Sequence, residues 1–117
     1  MPEQPLDTLK IKLREFAKER DWGQFHSPKN LSMALTVEAA ELLEKFQWLT
    51  EKQSFQLSEK KGKEVEEEIG DILIYLVRIA DQLNIDLIQV ANQKLKHNAG
   101  KYPINKAKGN ARKYNEL

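Results

Sequence analysis

The sequence predicts an all-α fold, a four-helix bundle of antiparallel helices with an irregular C-terminal tail, and three observations point to all-α. Apolar residues recur at three- and four-residue spacing over four segments, the signature of amphipathic helices. No stretch alternates with the period of two that strands require. Gly and Pro are scarce, five and four in 117 residues, which suits long helices joined by short connections.

The first segment, about Leu6–Asp21, carries Leu6, Leu9, Leu13, Phe16 and Ala17 along one side. "DWGQFHSPKN" breaks it with Gly and Pro, and Asn30 is a candidate N-cap for a second helix reaching about Leu49. Residues 50–57 read as a loop. Ser58 is placed to cap a third helix extending to about Leu83, with Val65, Ile69, Ile72, Leu76, Ile79 and Leu83 as its apolar stripe. Asp86 is placed to cap a fourth helix to about Asn98, stopped by Gly100 and Pro103. A chain of this length is expected to form one domain over residues 1–117.

Composition narrows the function classes. The sequence has no cysteine, which excludes disulfides and thiolate zinc sites. The N-terminal "MPEQPLDTLK" has no apolar run of the signal-peptide kind, and no segment approaches the roughly 18 apolar residues of a membrane span. A cytoplasmic protein that binds no membrane is the expectation. Net charge is +1, but the signs are segregated: "EVEEEIGD" is acidic, and Lys94–Lys113 holds seven Lys or Arg and no acid. Such blocks are solvated faces, or tails that touch nucleic acid.

The acids of the second and third helices carry more information. Glu38 lies inside the apolar stripe Leu31, Ala34, Leu35, Leu42, Phe46 and Leu49, and Glu41 at its edge. Glu68 and Asp71 repeat the i, i+3 spacing on the third helix, pointing to the same side as Tyr75. If the two helices pack antiparallel, four carboxylates converge. Uncompensated anions at close quarters are strongly unfavourable, and no Lys or Arg is interleaved among them. Mg²⁺ or Mn²⁺ suits carboxylate oxygens. A single Glu-x-x-Glu is more often the mark of a wet helix face, and it is two such pairs, one of them inside the apolar stripe, that bring a metal site level with that reading. A di-iron bundle needs Glu-x-x-His pairs, and neither His26 nor His97 completes one.

These residues resemble a known family. Glu38-x-x-Glu41, about two dozen residues, then Glu68-x-x-Asp71 resembles the MazG-like all-α nucleoside triphosphate pyrophosphohydrolases. "FAKERDWGQFHSPKNL", "EKFQW", "EEIGDILIYLVRIAD" and "KYPINKAKGNARKYNEL" are similar to their dCTP pyrophosphatase branch, so that the likeness spans nearly the whole chain. The resemblance implies hydrolysis between the α and β phosphates, giving monophosphate and pyrophosphate, most simply from dCTP or a 5-modified dCTP. It implies Mg²⁺ held by Glu38, Glu41, Glu68 and Asp71, which are also the catalytic acids. Which acid would act as general base stays open, and Glu67 is as well read as a surface residue.

Carried over by position, the branch's substrate residues are Trp22, Gln24, Phe25 and His26, then Trp48 and Tyr75. Lys94, Asn98 and Lys101 match its phosphate contacts, and Arg112, Lys113 and Tyr114 its tail motif. Aromatic faces can stack on a base, and a His or amide can read its edge. Phe25 reads better as packing, His26 and Trp48 as substrate contacts. Two departures stand out: Gly23 where mammalian members carry an acid, and Leu13 where they carry a His. The resemblance further implies a homotetramer, a dimer of dimers, that binds a nucleoside triphosphate and no nucleic acid. A dUTP or broad NTP pyrophosphohydrolase is the alternative within this class. A non-enzymatic helical module, binding nucleic acid through its basic tail, is the alternative outside it.

Overall fold

The computed structural model describes residues 5–117, so the start of "MPEQPLDTLK" lies outside the described residues. Among the described residues six α-helices follow one another: α1 Pro5–Glu19, α2 Pro28–Glu44, α3 Glu51–Ser54, α4 Glu59–Gln82, α5 Leu87–Lys101 and α6 Ile104–Ala107. Short 3-10 turns occupy Gly23–Phe25 and Tyr114–Glu116. There is no strand among the described residues, as the missing period-two pattern required. No helix among them is long and apolar enough to cross a membrane.

The helix ends follow local chemistry. α2 is capped by Ser27, whose hydroxyl accepts the Asn30 N–H, with Pro28 in the first turn where its missing donor costs nothing. The expected Asn30 cap is therefore three residues late, and its side-chain amide instead donates to the Phe25 carbonyl at 3.1 Å, tying the preceding turn to the helix. α2 stops at Glu44 rather than Leu49, and the expected 50–57 loop contains α3. There Thr50 and Gln53 exchange hydrogen bonds in a capping box, a Thr-x-x-Gln signal visible in the sequence. Ser58 and Asp86 cap α4 and α5 as anticipated. α5 runs through Gly100 to Lys101, and α6 interrupts a tail expected to be irregular.

The chain divides into two compact units, one ending at Asn84 and the other spanning Ile85–Leu117. In the first, α4 packs on α2 and on α1. Three cross-links give the α2–α4 direction: Lys45 lies 3.7 Å from Glu64, Glu38 meets Glu68, and His26, just before α2, meets Arg78. As numbers fall along one helix they rise along the other, so the pair is antiparallel. The core is small, with Ala17, Leu31, Val65, Val77 and Ala80 buried.

The packed face of α4 is rotated from the apolar stripe. Val65 is buried and Ile72 and Ile79 are half-buried, but Ile69, Leu76 and Leu83 are exposed. Glu68, Tyr75 and Arg78 turn inward. The reason is the partner surface: α2 presents Glu38 and Glu41, and α1 presents Arg14, so polar residues meet polar residues across both contacts.

Candidate active site

α2 holds Glu38 and Glu41 one turn apart on the face that meets α4, and α4 holds Glu68 opposite them. One carboxylate oxygen from each of the three lies within 4.8 Å of the others, and all three residues are half-buried. Glu38 Oε2 and Glu68 Oε2 are buried with no hydrogen-bond partner among the described residues. Two ionised carboxylates have no proton to share, so each leaves the other's oxygen unsatisfied. Protonating Glu38 creates a donor towards Glu68, and this contact, with burial and the charges of Glu41 and Asp71, pushes its pKa up to about 7. An alternative to that proton is a cation. Three convergent carboxylates, two of them with an unpartnered oxygen, fit a hard divalent ion.

Asp71 stays outside the 4.8 Å group and is exposed, although its charge reaches both Glu38 and Tyr75. Tyr75 is half-buried beside the acids. Burial, then the charges of Glu38, Asp71 and Glu41, raise its phenol pKa, so the hydroxyl keeps its proton.

A second cluster lies where α1, the Gly23–Phe25 turn and α4 meet. The Trp22 ring packs edge-on to Phe16 at 5.6 Å and tilts against His26 at 6.1 Å. Arg20 lies 3.6 Å over the Phe16 ring. Gln24 is a brace of the turn, its amide donating to the Asp21 carbonyl and carboxylate at 3.0 and 3.1 Å. Phe25 is exposed, so the packing role expected for it is not met within the chain. At Gly23 a Cβ would meet nothing within 4 Å, so the turn leaves room for a side chain to start there. Trp48 stands in the turn after α2 and is 87 % exposed.

Sequence reasoning missed the network behind His26. Arg78 is 5 % exposed, yet its Nε donates to His26 Nδ1 at 3.3 Å and its Nη1 to Asp81 at 3.4 Å. Arg14 grips Asp81 with two bonds of 3.0 and 2.6 Å. An open cavity of about 590 Å³ beside it is lined by Arg14, Lys18, Asp21, Arg78, Asp81 and Gln82 among others. The signal was an Arg and an Asp one turn apart in an otherwise apolar run, "IYLVRIAD".

In the second unit, Lys94, Asn98 and Lys101 share α5 at one-turn spacing. The Lys101 ammonium lies 4.5 Å over the Tyr114 ring, which also meets Tyr102 edge-on at 6.3 Å. Arg112 and Lys113 are exposed.

A family model described as MazG-like matches residues 33–117, the stretch that contains all four acids. The chain belongs to the MazG-like family. It is 42% identical over 118 residues to mouse dCTP pyrophosphatase 1 and 41% identical over 118 residues to the human protein of that name. Each match takes in 99% of this chain and 69% of the relative. A crystal structure of a pyrophosphatase from Archaeoglobus fulgidus is similar at a TM-score of 0.82 and 40% identity, covering 88% of this chain and 96% of that one. With these relatives, this MazG-like chain is an enzyme, a pyrophosphohydrolase.

Proposed function

We propose that this MazG-like enzyme hydrolyses deoxynucleoside triphosphates, with dCTP or a 5-modified dCTP as preferred substrate, to the monophosphate and pyrophosphate. The meeting of Glu38, Glu41 and Glu68 with two orphaned oxygens carries this reading, in a chain 42% identical to a dCTP pyrophosphatase. Glu38, Glu41 and Glu68 would hold Mg²⁺, with Asp71 as the fourth acid and Mn²⁺ as a substitute. Bound there, the ion supplies positive charge for the phosphate oxygens and a site for the attacking water.

The remaining work falls to the chain. The acids keep the triphosphate out of the site unless its charge is neutralised, which ties phosphate binding to metal loading. Tyr75, held protonated, offers an O–H donor beside them. Trp22 and Trp48 present exposed ring faces on which a base can stack. Lys94, Asn98, Lys101, Arg112, Lys113 and Tyr114 are the candidate phosphate contacts of the second unit. Leu13, half-buried, offers no hydrogen bond, so the base is read by other residues.

Exposed apolar side chains on α2 and α4, including Met33, Val37, Leu43, Ile69 and Leu73, support assembly into the homotetramer, since a lone chain would leave them in water. A cytoplasmic setting belongs to the same proposal. The deciding experiment incubates the protein with each canonical and 5-substituted dNTP in Mg²⁺ and separates the products. Monophosphate plus pyrophosphate, abolished by EDTA and by Glu41→Gln, is expected. Diphosphate plus phosphate, or no turnover on any nucleotide by the folded protein, would overturn the reading.

A further inference from the structure

Arg78 is the one buried charged residue among the described residues, and its contacts form a directed chain. Arg14 donates twice to Asp81, Arg78 Nη1 donates to Asp81 Oδ2, and Arg78 Nε donates to His26 Nδ1. Gln82 Nε2 donates to the His26 carbonyl at 2.6 Å and holds the backbone of the same residue. We infer that Arg78 is a positioning residue that locks His26 as a neutral imidazole with its proton on Nε2, so that His26 reads a hydrogen-bond acceptor on the edge of the substrate base. The inference rests on the nucleotide reading above.

The lock follows from donor chemistry. A guanidinium has five N–H donors, no acceptor, and does not deprotonate in proteins. The nitrogen it points at must carry a lone pair, so Nδ1 is bare and the ring proton sits on Nε2. A second proton on Nδ1 would face an N–H head-on and stand beside a fixed positive charge. Burial acts in the same direction and lowers the His26 pKa, so the ring stays neutral. Asp81, pinned by Arg14, fixes the guanidinium that fixes the ring.

The site lies where a base would reach it. Glu68, Asp71, Tyr75, Arg78 and Gln82 follow i, i+3, i+7, i+10, i+14 on α4, a single stripe. Arg78 is seven residues beyond Asp71, roughly 10 Å along the helix axis. A nucleotide laid lengthwise on that stripe, with its phosphates at the acids, brings its base to the Trp22–His26 pair. The Trp22 ring, half-exposed and 6.1 Å from the imidazole, supplies a stacking face next to the donor. The lock makes His26 select a carbonyl oxygen or a bare ring nitrogen, and gives it no means of accepting from an exocyclic amine.

The test reads the tautomer directly. Long-range ¹⁵N–¹H NMR on the full-length protein at neutral pH resolves two imidazoles, with exposed His97 as the internal reference. The His26 ring is expected wholly as the Nε2–H form. Arg78→Met should release it into a tautomer mixture and raise KM for dCTP about tenfold, the scale of one hydrogen bond, with kcat changed by less than about threefold. Arg78→Lys, which keeps a donor, should recover part of the loss. Because Arg78→Met removes a buried charge and can misfold, His26→Phe and His26→Gln provide a second route. The first should raise KM about tenfold and the second, keeping an N–H donor, should raise it less. An Nδ1–H tautomer or an imidazolium in the wild type overturns the inference, as does a His26→Phe enzyme with unchanged KM. The two possible failures separate. A wrong tautomer in an active enzyme sinks the lock alone, whereas a folded chain inert on every nucleotide sinks the activity beneath it.

Discussion

Glu38 on α2 and Glu68 on α4 face one another across the largest helix contact among the described residues, each with a buried carboxylate oxygen that no donor there reaches. The arrangement destabilises the metal-free fold once Glu38 ionises, because two desolvated anions then repel where a leucine pair would pack. A site kept against that cost is one from which function and stability pull in opposite directions.

Replacing Glu38 with Gln therefore separates the two. The variant loses a ligand and gains an N–H donor for Glu68. We expect turnover to fall by about two orders of magnitude, the scale of several kcal/mol of lost transition-state stabilisation. Its melting temperature without metal should rise by a few °C, about 1 kcal/mol for a domain of this size. Steady-state kinetics and calorimetry in EDTA check both. A variant that is both inactive and less stable would show that Glu38 serves the fold instead.

The same pair sets a pH dependence. The Glu38 pKa rises from 4.5 to about 7 on folding, so between those values the folded chain binds more protons than the unfolded one. Stability attributable to this group falls as pH rises through that window. The gap in melting temperature between Glu38→Gln and wild type, in EDTA, should thus be near zero below pH 4.5 and largest above pH 7. Mg²⁺ should reverse the trend, because it binds the deprotonated form. At a hundredfold excess over Kd it adds about 2.7 kcal/mol, more fully at pH 8 than at pH 5.5.

Legibility in the sequence followed a physical divide. Capping of α4 and α5 by Ser58 and Asp86 was readable, because a cap is a contact between residues three apart. The Glu38–Glu41 pair was readable as misplaced for a core from periodicity alone. That Glu68 completes the cluster while Asp71 stays outside it was not, since this depends on the rotation of α4 against α2. The stripe Ile69, Leu76, Leu83 pointed to a different face because periodicity records which side is apolar and not which neighbour covers it. The Arg14–Asp81–Arg78–His26 chain joins positions far apart in sequence, and only folding brings them together.

Asp81 should prove a stability residue. Its side chain is 11% exposed and sits between Arg14 and the nearly buried Arg78. Asp81→Ala leaves the Arg78 guanidinium without its carboxylate, which for a buried partner costs about 3 kcal/mol. The hydrogen bonds and charge of Arg14 hold the Asp81 pKa below its usual 3.8. Its stabilisation is therefore complete above pH 3.8 and is lost as pH falls through the lower, folded value. Urea unfolding should show a gap between variant and wild type at pH 7 that closes in strong acid. A pH-independent gap would mean that packing, not charge, is what the substitution removes.

Trp48 tests the substrate side. At 87% exposed it contributes little to the core of a single chain, so Trp48→Ala should change the stability of the monomeric fold by less than about 0.5 kcal/mol. If a base stacks on the indole, the loss is about 1–3 kcal/mol of binding, a rise in KM for dCTP of roughly 5- to 150-fold with kcat little changed. Trp48→Phe keeps a stacking face and should lie between the two. Size-exclusion chromatography with light scattering on the same proteins adds the discriminating readout, because an exposed aromatic can equally be covered by another copy of the chain. A Trp48→Ala protein that falls apart into smaller species, yet keeps its KM per folded site, would assign the ring to assembly and remove it from the base pocket.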